Sequence, residues 1–125
     1  MKYFILFLIA TISINLSAHR DGLEYGEYKK YFQLGEVEFY RSAGKLDGKT
    51  SDFDVIAKNN YPFEVCLVPT FDLIRNARED YYEPNYILGP NSEVELGHYG
   101  AIVFGRSWQA KWDFFISTNL ENCVI

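Results

Sequence analysis

The chain has 125 residues, 17 acidic against 12 basic, and a formal charge of −5. That length suits one hydrophobic core and not two. The acidic balance argues against nucleic acid as a partner, because affinity for phosphate backbones is built mainly from Lys and Arg.

The first element is a leader. Lys2 precedes an apolar-to-small run over residues 4–14, and a short exit ends at Ala18. A basic start, an apolar core of that length and a small exit residue describe a secretory signal peptide. The run is too short for a bilayer span, which needs about 20 apolar residues. Residues 1–18 are therefore expected to be removed, leaving residues 19–125 as one secreted or periplasmic domain with no membrane span. Only Lys2 among the charged residues leaves with the leader, so the remaining charge is near −6.

The chain is rich in Tyr and Phe, ten of each over its full length, which favours strands. Residues 24–32 could hold a helical turn. Period-two alternation begins at residues 36–40, with Val37 and Phe39 on one face. It returns at 52–57, with Phe53, Val55 and Ala57 inward and Asp52 and Asp54 outward. It recurs at 63–68 with Phe63, Val65 and Leu67 on one side and Cys66 on the other, and again at 92–96. Residues 108–116 set Trp108, Ala110, Trp112, Phe114 and Ile116 on one face. Trp108 and Trp112 also fit helical spacing, but Phe114, Phe115 and Ile116 are poor helix formers that pack well on a pleated surface. Both Trp rings are expected to fill the core.

Turn chemistry falls between the runs, at residues 42–48, 59–62, 89–92 and 97–100. Residues 73–82 read as a long connection before Pro84. About seven short strands so punctuated outline an all-β fold: a single small antiparallel, Ig-like β-sandwich, with a small β-barrel as the alternative. In an oxidising compartment Cys66 and Cys123 are expected to form a disulfide closing a loop of 57 residues. Their spacing suits neither a redox Cys-x-x-Cys motif nor a zinc knuckle.

The strand at 55–57 leading through Asn59 and Asn60 into Tyr61-Pro62-Phe63, the proline-led connection at 87–96 and the closing strand at 111–117 resemble the Ig-like β-sandwich accessory domain of bacterial M23-type peptidoglycan peptidases. The resemblance spans about half the chain. It implies architecture and, by analogy, an envelope-associated binding or assembly role. It implies no catalytic residue, because the zinc-binding histidines of such enzymes lie in a later domain.

Candidate chemistry is sparse. The chain has only two histidines, His19 and His98, and neither sits in a Gly-x-Ser-x-Gly context that would supply a hydrolytic triad. Cleavage after Ala18 would make His19 the N-terminus, so its amine and imidazole with His98 could form a copper-binding brace; this is the alternative reading. The carboxylate pairs Asp52/Asp54, Glu36/Glu38 and Glu93/Glu95 are each expected to form a solvated outer face. Tyr81, Tyr82, Glu83 and Tyr86 lie in an acidic, tyrosine-rich segment read as an exposed recognition loop. The expected function is a non-enzymatic sandwich, without a cofactor, that binds a protein or cell-envelope component.

Overall fold

A computed structural model describes residues 19–123; the expected leader lies outside them. Among the described residues there are nine strands: β1 (Glu24–Tyr25), β2 (Lys29–Leu34), β3 (Val37–Leu46), β4 (Lys49–Asn59), β5 (Val65–Arg75), β6 (Ala77–Tyr81), β7 (Tyr86–Leu88), β8 (Glu93–Ala101) and β9 (Gln109–Ser117), followed by a short 3-10 helix at Leu120–Cys123. Six strands make one antiparallel sheet, in the order β1-β3-β4-β8-β6 with β2 also on β3. Three make the other, in the order β7-β5-β9. The chain is a small all-β sandwich with no closed barrel among the described residues.

Alternation places most of the core as expected, but Phe63, read on the same face as Val65 and Leu67, lies ahead of β5 and is exposed. Val37, Phe39, Val55, Ala57, Val65, Leu67, Leu96, Tyr99 and Phe114 are buried between the sheets. The Phe39 and Phe114 rings stack across the gap at 4.1 Å. Trp108 and Trp112 pack against the same core, and the Trp108 indole donates to the Thr50 carbonyl at 2.9 Å.

Four local expectations are corrected, the last being the turn over residues 42–48. Residues 24–32 hold β1 and β2 rather than a helical turn, because their aromatic side chains are drawn onto β3 and the core. Residues 73–82 are the end of β5 and all of β6 rather than a connection. The chain crosses from one sheet to the other at the single residue Asn76, whose φ of 44° is tolerated by Asn and whose side chain binds the Val103 backbone at both its amide and its carbonyl. Residues 97–100 continue β8 rather than turning, with a bulge where Val55 faces Gly97 while Ile56 faces Glu95. The β3–β4 hairpin turns at Asp47-Gly48 alone, both with positive φ, as a two-residue turn of this type requires.

Asn59 ties the two sheets together. It is fully buried, and its amide donates to the carbonyls of Phe63, Leu88 and Gly89 while its oxygen accepts from the Tyr61 amide. Cys66 and Cys123 form the expected disulfide, with Cα atoms 5.6 Å apart, which fixes the 3-10 helix against the outer side of β5. Asn59→Ala is expected to lower the unfolding free energy by about 1–3 kcal/mol, because buried backbone groups lose their partners. Urea denaturation checks this: the midpoint should fall while the slope is unchanged.

Candidate functional site

The most unusual chemistry lies on the face of the six-stranded sheet that points away from the core. Two cross-strand rows meet there. Ser42 on β3 pairs with Asp54 on β4, which pairs with His98 on β8; Gly44 pairs with Asp52, which pairs with Gly100. The bulge in β8 creates the first row. A single extra residue reverses which side chains face the core, so Leu96 and Tyr99 both point inward while His98 points outward beside the carboxylates.

This outer face is not solvated. Asp52 and Asp54 have 0% exposure and His98 has 6%, which overturns the expectation that Asp52 and Asp54 stand in water. Residues 19–28 cross over them as a strap. Tyr25 donates to Asp52 Oδ2 at 2.6 Å, and Tyr28 donates to Asp54 Oδ2 at 2.5 Å. Arg20 donates to Asp52 Oδ1 and to the Ala101 carbonyl, both at 3.1 Å, and its guanidinium lies over the Phe104 ring. The Ser42 hydroxyl donates to the Gly26 carbonyl at 2.6 Å. Small residues make room for the strap: a Cβ on Gly44 would sit 2.7 Å from the Tyr25 ring.

His98 lies between the carboxylates. Its Nδ1 is 2.8 Å from Asp52 Oδ2, and its Nε2 faces Asp54 Oδ1 at 3.9 Å. That Asp54 oxygen is buried and has no hydrogen-bond partner. Burial pushes the Asp54 carboxyl up to about 6, against the opposing pull of the Tyr28 hydroxyl and His98. Burial alone would lower His98, but the Asp52 hydrogen bond and the charges of Asp54, Asp52 and Glu95 outweigh it and raise it. Burial, and then the hydrogen bonds to Asp52 and Asp54, raise the hydroxyls of Tyr25 and Tyr28. Both tyrosines therefore remain donors across the ordinary pH range.

The sequence-derived candidates fall in three places. His19 and His98 do approach one carboxylate: His19 Nε2 is 4.0 Å from Asp54 Oδ2, and its ring stacks on Tyr25 at 4.0 Å. Yet among the described residues no three His, Cys, Asp or Glu side chains are grouped to hold a metal ion. The copper brace thus draws no support from the side-chain arrangement. In the tyrosine-rich segment, Tyr81 lies on β6 with its ring edge-on to Phe71 at 4.9 Å. Tyr86 is buried, and its hydroxyl donates to the Leu96 carbonyl at 2.5 Å. Tyr82 and Glu83 remain exposed, and Tyr82 donates to Glu95 at 2.6 Å. The loop read as one recognition surface is therefore two core tyrosines and two accessible side chains. Glu36 and Glu93 are exposed as expected, with Glu38 and Glu95 half-buried.

Arg20, Tyr25 and Tyr28 belong to the site and carry no spacing signal. Ser42, Gly44, Asp52, Asp54, His98 and Gly100 share a face that becomes visible only once the register and the bulge are known. No family model, no curated protein and no solved structure matches the chain.

Asp52, itself without exposed surface, receives Arg20, Tyr25 and His98, so Asp52→Ala removes a buried partner from all three. The expected cost is about 3–5 kcal/mol, as for removal of one partner of a buried ion pair. Asp80 pairs with Arg78 at the surface, and Asp80→Ala is expected to cost less than about 1 kcal/mol. Parallel urea titrations of the two variants check the contrast.

Proposed function

We propose that the chain is an exported, non-catalytic β-sandwich that binds a protein partner at the cell envelope, in the extracellular space or periplasm. The observation carrying this reading is the outer face of the three-stranded sheet. Phe115 and Ile87 are 56% and 50% exposed although both stand on regular strands. Phe115 lies opposite Val68, and Ile87 lies opposite Cys66. The two therefore flank β5 on the side away from the core, beside the disulfide. Clustered apolar side chains held on a rigid sheet mark interaction surfaces better than singly scattered ones.

Other features support the same reading. The disulfide suits an oxidising compartment, and among the described residues no helix is long and apolar enough to cross a membrane. The resemblance to peptidase accessory sandwiches points, by analogy, to the envelope. A non-catalytic role fits the enclosure of His98, since a general acid or base must reach the proton it transfers. Tyr82 and Glu83 offer a second, more polar point of contact.

The test is in-cell photocrosslinking with benzoylphenylalanine at position 115, with position 78 on the other sheet as control. A discrete protein adduct from 115 and none from 78 is expected, and the recovered protein should have a mass starting at His19 and lacking two hydrogens. No adduct from position 115, an equal adduct from position 78, or retention of the leader would overturn the reading.

A further inference from the structure

Residues 19–28 are held to the sheet by little backbone pairing. β1 contributes two residues, paired with Lys45 and Gly44, and one further backbone bond joins the Gly26 amide to the Ala43 carbonyl. Beside the Ser42–Gly26 and Arg20–Ala101 bonds and the Arg20–Phe104 contact, the rest of the grip converges on two carboxylates. Arg20 and Tyr25 hold Asp52, Tyr28 holds Asp54, and His19 lies against Asp54. Beneath them Asp54 Oδ1 has no hydrogen-bond partner, and His98 Nε2 faces it at 3.9 Å.

With the His19 imidazole, lowered by burial and by His98, left neutral, the charges in this enclosure balance only with a proton. Asp52 and Asp54 supply two negative charges and Arg20 one positive; a proton on either His98 or Asp54 brings the group to neutrality. Without it the enclosure holds an uncompensated negative charge, which is costly where water is excluded. Glu95, on the same strand as His98 and bonded to Tyr82, adds to the negative field. Asp80, paired in register with His98, is engaged by Arg78 at the surface.

We infer that residues 19–28 form a proton-operated clasp: a proton shared between His98 and Asp54 keeps the segment seated on the six-stranded sheet, and loss of that proton releases it to open the carboxylate row to solvent. The direction of the response follows from both groups. The His98 value is raised above the ordinary 6.5, so its contribution is complete below 6.5 and is lost as pH rises through the folded value. The Asp54 value is raised from 3.8 to about 6, so the folded protein favours the acid form; that contribution is complete below 3.8 and is lost as pH rises through about 6. Both act in the same sense. His19, lowered by burial and by His98, acts in the opposite sense, but its side chain is 32% exposed and solvent screens it. The clasp is thus closed in acid and loosens as pH rises through about 6 and then through the raised His98 value.

Amide hydrogen exchange over residues 19–28, corrected for intrinsic exchange and referenced to β3 and β4, tests the inference in the disulfide-bonded protein. The open fraction should rise about tenfold or more between pH 5.5 and pH 8.5 while the reference strands stay protected. Asp54→Asn, which removes one of the two negative charges, should leave the segment protected at pH 8.5 and flatten the profile. Chelator treatment should change nothing. Equal protection at both pH values in the unsubstituted protein overturns the inference, whether or not the variant folds. So does a pH response that survives Asp54→Asn, or one that chelation alters, because the latter would assign the role to a bound cation.

Discussion

Two carboxylates two residues apart on one strand, closed off from water, set the terms for half of this molecule. A sheet face carrying Asp52 and Asp54 would ordinarily be left to solvent, where repulsion between the two is screened. Here each carboxylate must instead find donors from the protein, and the donors come from a segment distant in sequence: Arg20, Tyr25 and Tyr28. Gly44 on the same face follows from that need, since a Cβ there would run into the Tyr25 ring. Gly100 is set by its neighbour on β4, where a Cβ would lie 2.6 Å from the Asp52 Cα. The β8 bulge follows too, because a regular strand keeping Leu96 inward would turn His98 into the apolar core.

The two outer faces of the sandwich are closed by different means. On the larger sheet a polar strap gives hydrogen bonds and charge compensation. On the smaller sheet the Cys66–Cys123 bridge fixes the 3-10 helix over one end of β5, and the rest of that face keeps Phe115 and Ile87 in water. A disulfide across 57 residues restrains the unfolded chain whatever the acidity, and the chain-entropy model assigns a loop of that size roughly 4 kcal/mol. The apolar face and the acid-sensitive face therefore lie on opposite sides of the molecule and have different determinants.

Much of the inter-sheet core was legible because alternation is a local signal. Val37 with Phe39, Val55 with Ala57, Val65 with Leu67 and Trp112 with Phe114 all point inward as their spacing indicated, and the cysteines pair. The site was not legible, for two physical reasons. Alternation tells which residues share a face and says nothing about what covers that face, so Asp52 and Asp54 were correctly placed outward and wrongly placed in water. A bulge breaks the period by one residue, so the glycines at 97 and 100 read as the ends of a turn when they mark a flexed strand and a close backbone approach. The same limit hid β6: Ala77, Arg78, Glu79 and Asp80 form an edge strand with little apolar signal, and pairing with β8 rather than propensity makes it a strand.

The separation between core and strap explains how one region can respond to acidity while the fold persists. The buried cluster between the sheets contains no carboxylate and no imidazole. Its tyrosines are raised above their ordinary range by burial, and Arg41 lies over the Tyr31 and Phe53 rings and donates to the Tyr99 hydroxyl. Proton loss near neutrality therefore leaves inter-sheet packing untouched. It acts on the outer row alone, where a segment with few backbone bonds depends on the charge state beneath it. Local opening follows the least stable unit, and in this chain that unit is the one whose grip is electrostatic rather than hydrophobic.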